Sequence, residues 1–156
     1  MIGIELSHIA CKDFFSEINV KPDIEEKDKF TIYKRKNIKL FCGDFFDLTP
    51  NKFSTIHAIY DCKALIALPS ELRIRYVNHI IHCVGKNIKI LLITRDSDCK
   101  VNPPPYPVNK FEVTTLYSPY FVIRLLKSFN VTNIPEKLIT KGYKAMTESV
   151  YLISGK

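Results

Sequence analysis

The chain has 156 residues, 46% of them hydrophobic and 25% charged, with a formal net charge of +7 at pH 7; this is the size and composition of one globular domain and excludes a disordered or fibrous chain. No apolar run approaches the roughly 20 residues of a membrane helix, and the N-terminus lacks the basic region and cleavage site of a signal peptide, so a cytoplasmic protein is expected. The lysines are interleaved with acids and form no stripe, which reads as a solvated surface and speaks against a nucleic-acid partner.

In chain order, Ile2 to Leu6 reads as a strand buried on both faces, with the Glu5 carboxylate near its end. A carboxylate there, followed at once by a helix, is the arrangement with which nucleotide-binding α/β proteins hold a ribose. Ser7 is a good N-cap for "SHIACKDFFSEI", whose Ile9, Phe14, Phe15 and Ile18 form the expected apolar face. Pro22 disfavours a helical residue before it, so the helix ends near "NVKP". "FTIYKRKNIKLFC" alternates apolar and polar residues about a polar centre and reads as a hairpin. "GDFFDLTPNKFS" is a loop with room for one helical turn.

"IHAIYDC" is continuous enough to predict a central strand of a parallel sheet. Leu65, Leu68, Leu72, Tyr76, His79, Ile80 and Cys83 then recur at helical spacing, with Pro69 breaking the pattern so that the main helix starts at "PSEL". Gly85 ends it, and "KNIKILLIT" follows as a buried strand. "RDSDCKVNPPPYPV" must be irregular, because four of the five residues from Pro103 to Pro107 are prolines. A long loop at the carboxyl end of a strand is where α/β proteins place lids and substrate contacts. "NKFEVTTLY" is a short helix, and "YFVIRLLKSFNV" with "MTESVYLIS" a final antiparallel strand pair. The expected fold class is therefore an α/β sandwich: a mostly parallel sheet that ends in an antiparallel hairpin, all within one domain over residues 1–156.

The five cysteines, Cys11, Cys42, Cys62, Cys83 and Cys99, form no CxxC pair and have no histidine at zinc-ligand spacing; they read as free thiols, most of them small buried hydrophobes. His57, His79 and His82 have no triad-like context and read as packed side chains. No metal site is predicted, and no catalytic nucleophile or base stands out.

Several stretches, taken together and in order, resemble the thiopurine S-methyltransferase family: "IGIELSHIACKDFFSE", "CGDFFDLTP", "IYDCKALIALPSELRIRY", "LLITRDSD" followed by "PPPYPV" and "FEVTTLY", and "KGYKAMTESVYLI". The resemblance implies a Rossmann-like methyltransferase fold, S-adenosyl-L-methionine as methyl donor, and a thiopurine-like or other small thiol as acceptor. It puts Glu5 at the position that holds the ribose hydroxyls, a task suited to a carboxylate that accepts two hydrogen bonds from a vicinal diol. Asp44 and Phe45 fall where the family contacts the adenine; a carboxylate accepts from an exocyclic amine and an aromatic ring packs on a base.

Asp61 ends its strand at the carboxyl edge of the sheet, where ligands collect, and with Cys62 completes the expected donor-binding set. On the acceptor side the resemblance implicates Lys63, Tyr106 and Lys141. Three departures from the family bear on the acceptor. Cys62 followed by Lys63 stands where the family has an arginine, Lys141 likewise replaces an arginine, and "PPPY" replaces "GPPF" in the proline loop. Lysine keeps the charge but loses the flat guanidinium face.

Thiopurine methyltransferases carry, upstream of the stretch that matches "IGIEL", a lid with tryptophans, a first strand and a "PLCGK"-like loop leading into the first helix. The chain has no tryptophan and starts at the second strand. A strand with its crossover takes roughly 30 residues, and without it two strand edges are expected to be open. A gene broken upstream, a decayed remnant, and pairing with itself or with a separate N-terminal fragment are the three explanations. Very weak or undetectable donor binding is the expectation. The competing reading is an inactive remnant or a non-catalytic interaction protein that uses a sheet edge or its basic surface.

Overall fold

The computed structural model describes residues 1–50, 53, 56–97 and 103–156; Cys99 and part of the loop that precedes Pro103 lie outside the described residues. The chain divides into two compact units, Met1–Thr49 and Pro50–Lys156.

In the first unit, strand β1 (Ile2–Glu5) leads directly into helix α1 (His8–Glu17), whose start is set by Ser7: its side chain accepts from the Ala10 amide at 3.2 Å. The buried residues of α1 are Cys11 and Phe15, one turn apart, and Phe14 packs at their margin. The expected face differs here, since Ile9 is 71% and Ile18 43% exposed. Strands β2 (Asp23–Lys27), β3 (Phe30–Arg35) and β4 (Ile38–Cys42) follow, and the sheet order is β1-β4-β3-β2. The hairpin read from the sequence is β3–β4, while β1 pairs with β4 in parallel and sets Glu5 opposite Cys42.

Strand β2 has no sequence signal. All five residues of "DIEEK" are exposed, so no alternation is imposed on them; the strand is held by its antiparallel ladder with β3 and by cross-strand side-chain contacts, Thr31 to Glu26 at 2.9 Å and Lys34 to Glu25 at 3.3 Å. One buried cluster of this unit comprises Cys11, Phe15, Tyr33, Leu40 and Cys42, and Phe30, Ile32, Phe41 and Leu48 are buried as well.

The second unit comprises β5 (Ala58–Cys62), α2 (Ala64–Ala67), α3 (Ser70–Val84), β6 (Lys89–Ser97), α4 (Lys110–Tyr117), β7 (Phe121–Asn130), α5 (Glu136–Thr140) and β8 (Met146–Gly155). Its sheet runs β5-β6-β8-β7, parallel between β5 and β6 and antiparallel elsewhere. Pro69 precedes α3 in extended conformation and Gly85, at φ +78°, ends it, as the residue types dictate. The buried stripe of α3 is Arg73, Tyr76, Val77, Ile80 and Cys83, so Leu72 and His79 sit at its margin.

Strand β6 alternates cleanly: Ile90, Leu92 and Thr94 are buried, and Leu91 and Ile93 partly exposed. The expectation that "IHAIYDC" lies centrally is corrected. Among the described strands β5 pairs only with β6, it forms a sheet edge, and Tyr60 is 66% exposed. The apolar run predicted burial on both faces, but Ala58, Tyr60 and Cys62 are exposed, so only the face carrying Ile59 and Asp61 is covered.

Candidate functional site

In the first unit, β1 and β4 run in the same direction, so Glu5 and the residues that follow Cys42 reach the same end of the sheet. The Gly43 amide donates to the Glu5 carbonyl at 2.9 Å and carries the ladder one residue past β4. A Cβ on Gly43 would stand 2.7 Å from the Phe30 ring and 2.9 Å from the Lys29 carbonyl, so this close approach needs glycine. Asp44 and Phe45 come next, and Asp44 caps one turn of 3-10 helix, Phe45–Asp47, by accepting from the Phe46 amide at 2.9 Å.

Glu5, partly buried, accepts from the Ser7 amide through Oε1 at 2.8 Å. Each of these carboxylates therefore makes one hydrogen bond through one oxygen, and its second oxygen has no hydrogen-bond partner among the described residues, although the Lys29 charge acts on Asp44. Phe45 and Phe46 meet edge to face, with ring centroids 5.5 Å apart.

In the second unit, the carboxyl end of β5 holds Asp61, Cys62 and Lys63, which go different ways. Strand alternation turns Asp61 inward, where it is 2% exposed and its Oδ2 accepts from the Tyr76 hydroxyl at 3.0 Å. Its Oδ1 makes no well-aligned hydrogen bond, although the Ala64 and Leu65 amides approach the carboxylate. Burial pushes the Asp61 carboxyl up from 3.8, against the opposing pull of Tyr76 and those amides. The hydroxyls of Tyr76 and Tyr117 are likewise pushed well up, first by burial and then by the negative charge of Asp61.

Cys62 is exposed and interacts with the Tyr60 hydroxyl, whose pKa is raised chiefly by that hydrogen bond. Lys63 is exposed and left-handed, at φ +75°, and takes the N-cap position of α2 without a side-chain hydrogen bond. A lysine in that region is held there by its surroundings and stores strain.

The proline segment is tied down on every side. Pro103, Pro104, Pro105 and Pro107 have no amide hydrogen, and the two amides that remain are both used: Tyr106 donates to the Ile66 carbonyl at 2.7 Å and Val108 to the Arg95 carbonyl at 2.8 Å. Lys141 donates to the Pro104 carbonyl at 3.1 Å and the Tyr143 hydroxyl to that of Pro105. Thus Tyr106 and Lys141, implicated separately by the resemblance, belong to one assembly.

Sequence reading missed Arg73, Glu112 and Tyr143 around the proline segment, and the bond of Tyr76 to Asp61. A signal was present for Arg73. It lies three residues before Tyr76 and seven before Ile80, so helical periodicity places it on the apolar stripe, where an arginine must be paired.

Comparison with known proteins gives the family and the fold. A family model described as thiopurine S-methyltransferase (TPMT) matches residues 1–156. A thiopurine S-methyltransferase of Marinobacter nauticus is 37% identical over 158 residues, covering 100% of this chain and 72% of the relative. Its counterpart in Nitrosospira multiformis is 36% identical over 154 residues, covering 98% and 70%. Among solved structures, the YcgJ protein of Bacillus subtilis superposes with a TM-score of 0.67 at 10% identity, covering 99% of this chain and 82% of that one. An S-adenosylmethionine-dependent methyltransferase of Anabaena variabilis does so with 0.61 at 13% identity, covering 99% and 68%; at these identities the two structures bear on the fold alone, which is the Rossmann-like methyltransferase fold. On the match of the family model and the identity to these relatives, the chain belongs to the thiopurine S-methyltransferase family, whose methyl donor is S-adenosylmethionine.

Proposed function

We propose that the chain acts as one methyltransferase domain that moves the methyl group of S-adenosylmethionine to the sulfur of a thiopurine-like or other small thiol, in the cytoplasm. The observation that carries the donor side is the pair of carboxylates at one end of the first sheet, each with an oxygen lacking a hydrogen-bond partner among the described residues. They fit an adenosine: Glu5 would accept from the ribose hydroxyls, Asp44 from the exocyclic amine, and Phe45 would pack on the base. Bound there, the donor supplies a methyl group on a positively charged sulfur that a sulfur nucleophile displaces in line.

No side chain of this chain is assigned the role of base. The acceptor enters as a thiolate, having given its proton to solvent, and the residues contribute binding and orientation. Lys63 and Lys141 supply positive charge on the acceptor side, and Tyr106 a ring and a hydroxyl. Asp61 is buried and holds the Tyr76 hydroxyl through Oδ2, so its part is to fix the end of β5 next to Lys63.

Isothermal calorimetry with S-adenosyl-L-homocysteine, followed by a methyl-transfer assay with 6-mercaptopurine, tests this reading. Donor-product binding that is lost in Glu5→Ala, together with turnover of the thiol, supports it. A folded chain that binds no donor product refutes it.

The edge position of β5 favours a second reading, in which the chain pairs with a second copy or with a separately made fragment through this strand. Sedimentation equilibrium decides it: a concentration-independent monomer mass removes self-pairing.

A further inference from the structure

We infer that Arg73 is a positioning residue for the acceptor side: it holds the segment Pro103–Val108 in a single conformation, and so fixes where Tyr106 meets a thiol acceptor. The inference deepens the proposed function and rests on the reading that this segment contacts the acceptor.

The Arg73 side chain is only 3% exposed, yet it carries a full charge. Through Nε and Nη1 the guanidinium reaches three stretches of chain. Nε donates to the Leu68 carbonyl at 2.9 Å, just before α3. Nη1 donates to the Pro107 carbonyl at 3.3 Å and to Glu112 Oε1 at 2.6 Å. Its Cζ lies 5.8 Å from the centroid of the Tyr106 ring, within cation–π range. One planar fork thus touches the chain before α3, the proline segment and α4.

Glu112 is itself fixed by the sequence around it. It is the third residue of α4, and its amide donates to Asn109 Oδ1 at 2.9 Å. A glutamate at that position of a capping box ordinarily reaches back toward the cap residue; here its carboxylate goes to Arg73. The cap residue Asn109 directly follows Val108, so the Arg73–Glu112 pair holds the end of the segment as well as its middle. With both of the segment's amides spent on Ile66 and Arg95, Arg73 is the buried cation that closes the assembly. A lysine there would keep the charge but could not serve three directions from one plane.

The test uses residues 1–156 as wild type, Arg73→Lys and Glu112→Gln, with three measurements. Hydrogen exchange is followed at the Tyr106 and Val108 amides; S-adenosyl-L-homocysteine binding is measured by calorimetry; and 6-mercaptopurine is titrated with that product saturating, alongside KM and kcat for methyl transfer. The expected result for Arg73→Lys is at least tenfold weaker thiol binding and a KM for the thiol raised by the same factor. Donor-product affinity is unchanged, kcat changes less than threefold, and exchange at both amides is faster. Glu112→Gln, which retains one hydrogen bond, moves the same quantities less.

Three results overturn the inference. The first is unchanged exchange at Tyr106 and Val108. The second is a fall in thiol and donor-product affinity by equal factors, which marks a purely structural residue. The third is faster exchange with thiol affinity unaltered. Failure of the proposed function shows separately, as a wild-type chain with slow exchange at both amides that binds no thiol; the acceptor role of Arg73 then falls with it.

Discussion

The hydroxyl of Tyr76 lies 3.0 Å from Oδ2 of Asp61, and both residues are buried, 7% and 2% exposed. Tyr76 is three residues beyond Arg73, so one face of α3 anchors the end of β5 through a tyrosine and the proline segment through an arginine.

Ionised Asp61 is disfavoured by burial, which raises its pKa in the folded chain above the ordinary 3.8 of the unfolded chain. The stability it contributes is therefore fully present below 3.8 and is lost as pH rises through the higher folded value. Asp61→Asn removes this dependence. Denaturant melts from pH 3.5 to 8 will show wild type losing stability relative to the variant as pH rises, and Tyr76→Phe, which leaves the carboxylate without that donor, will lose about 1–3 kcal/mol, more at pH 8 than at pH 4.

Glu5→Gln and Asp44→Asn each exchange a charged acceptor for a neutral one where adenosine is proposed to bind. The expected outcome is a roughly tenfold or greater loss of S-adenosyl-L-homocysteine affinity for each, from a hydrogen bond to a charged group worth about 1.5–3 kcal/mol. Calorimetry at constant pH measures it, with thermal melts to verify that the fold persists.

Gly43→Ala introduces a methyl group 2.7 Å from the Phe30 ring and 2.9 Å from the Lys29 carbonyl. The ring can move, but the carbonyl belongs to the β2–β3 turn and cannot. We expect a destabilisation of about 1–3 kcal/mol from overpacking, read from urea melts.

Lys63→Gly relieves a left-handed lysine, and at φ +75° the gain should be about 1 kcal/mol, read from urea melts. If Lys63 supplies charge to the acceptor, the same variant loses methyl transfer while gaining stability, whereas Lys63→Arg keeps the transfer.

Cysteine labelling separates the thiols by burial. Cys11 is pushed up to about 12, chiefly by burial and then by Cys42 beside it, and Cys83 is raised by burial. Iodoacetamide at pH 8 with peptide mapping should modify the exposed Cys62 rapidly and leave Cys11, Cys42 and Cys83 protected until denaturant is added.

Much of the local architecture was legible in the residues. The Ser7 cap, the polar centre of the β3–β4 hairpin, Pro69 before α3 and Gly85 after it act over one to four positions, within reach of pattern reading. Glu5, Asp44 and Phe45 were singled out through the resemblance to the family, and it was the parallel pairing of β1 with β4 that set the end of one strand and the turn after the other at the same edge. By contrast, β2 escaped because an exposed edge strand needs no apolar alternation, and α5 because five residues carry too little periodicity.

By itself the sequence determined the ends of the elements with strong local signals, α1, the β3–β4 hairpin and α3, together with the family and which carboxylates end their strands. Only the tertiary structure decided that β5 is an edge, that Asp61 faces inward to Tyr76, and that Arg73 meets Pro107 and Glu112, which lie 34 and 39 residues further along the chain. The reason is physical. Caps, turns and alternation arise from bonds between near neighbours, whereas the partner of a buried charge is chosen by how distant segments pack, and the residue types alone state only that such a partner is required.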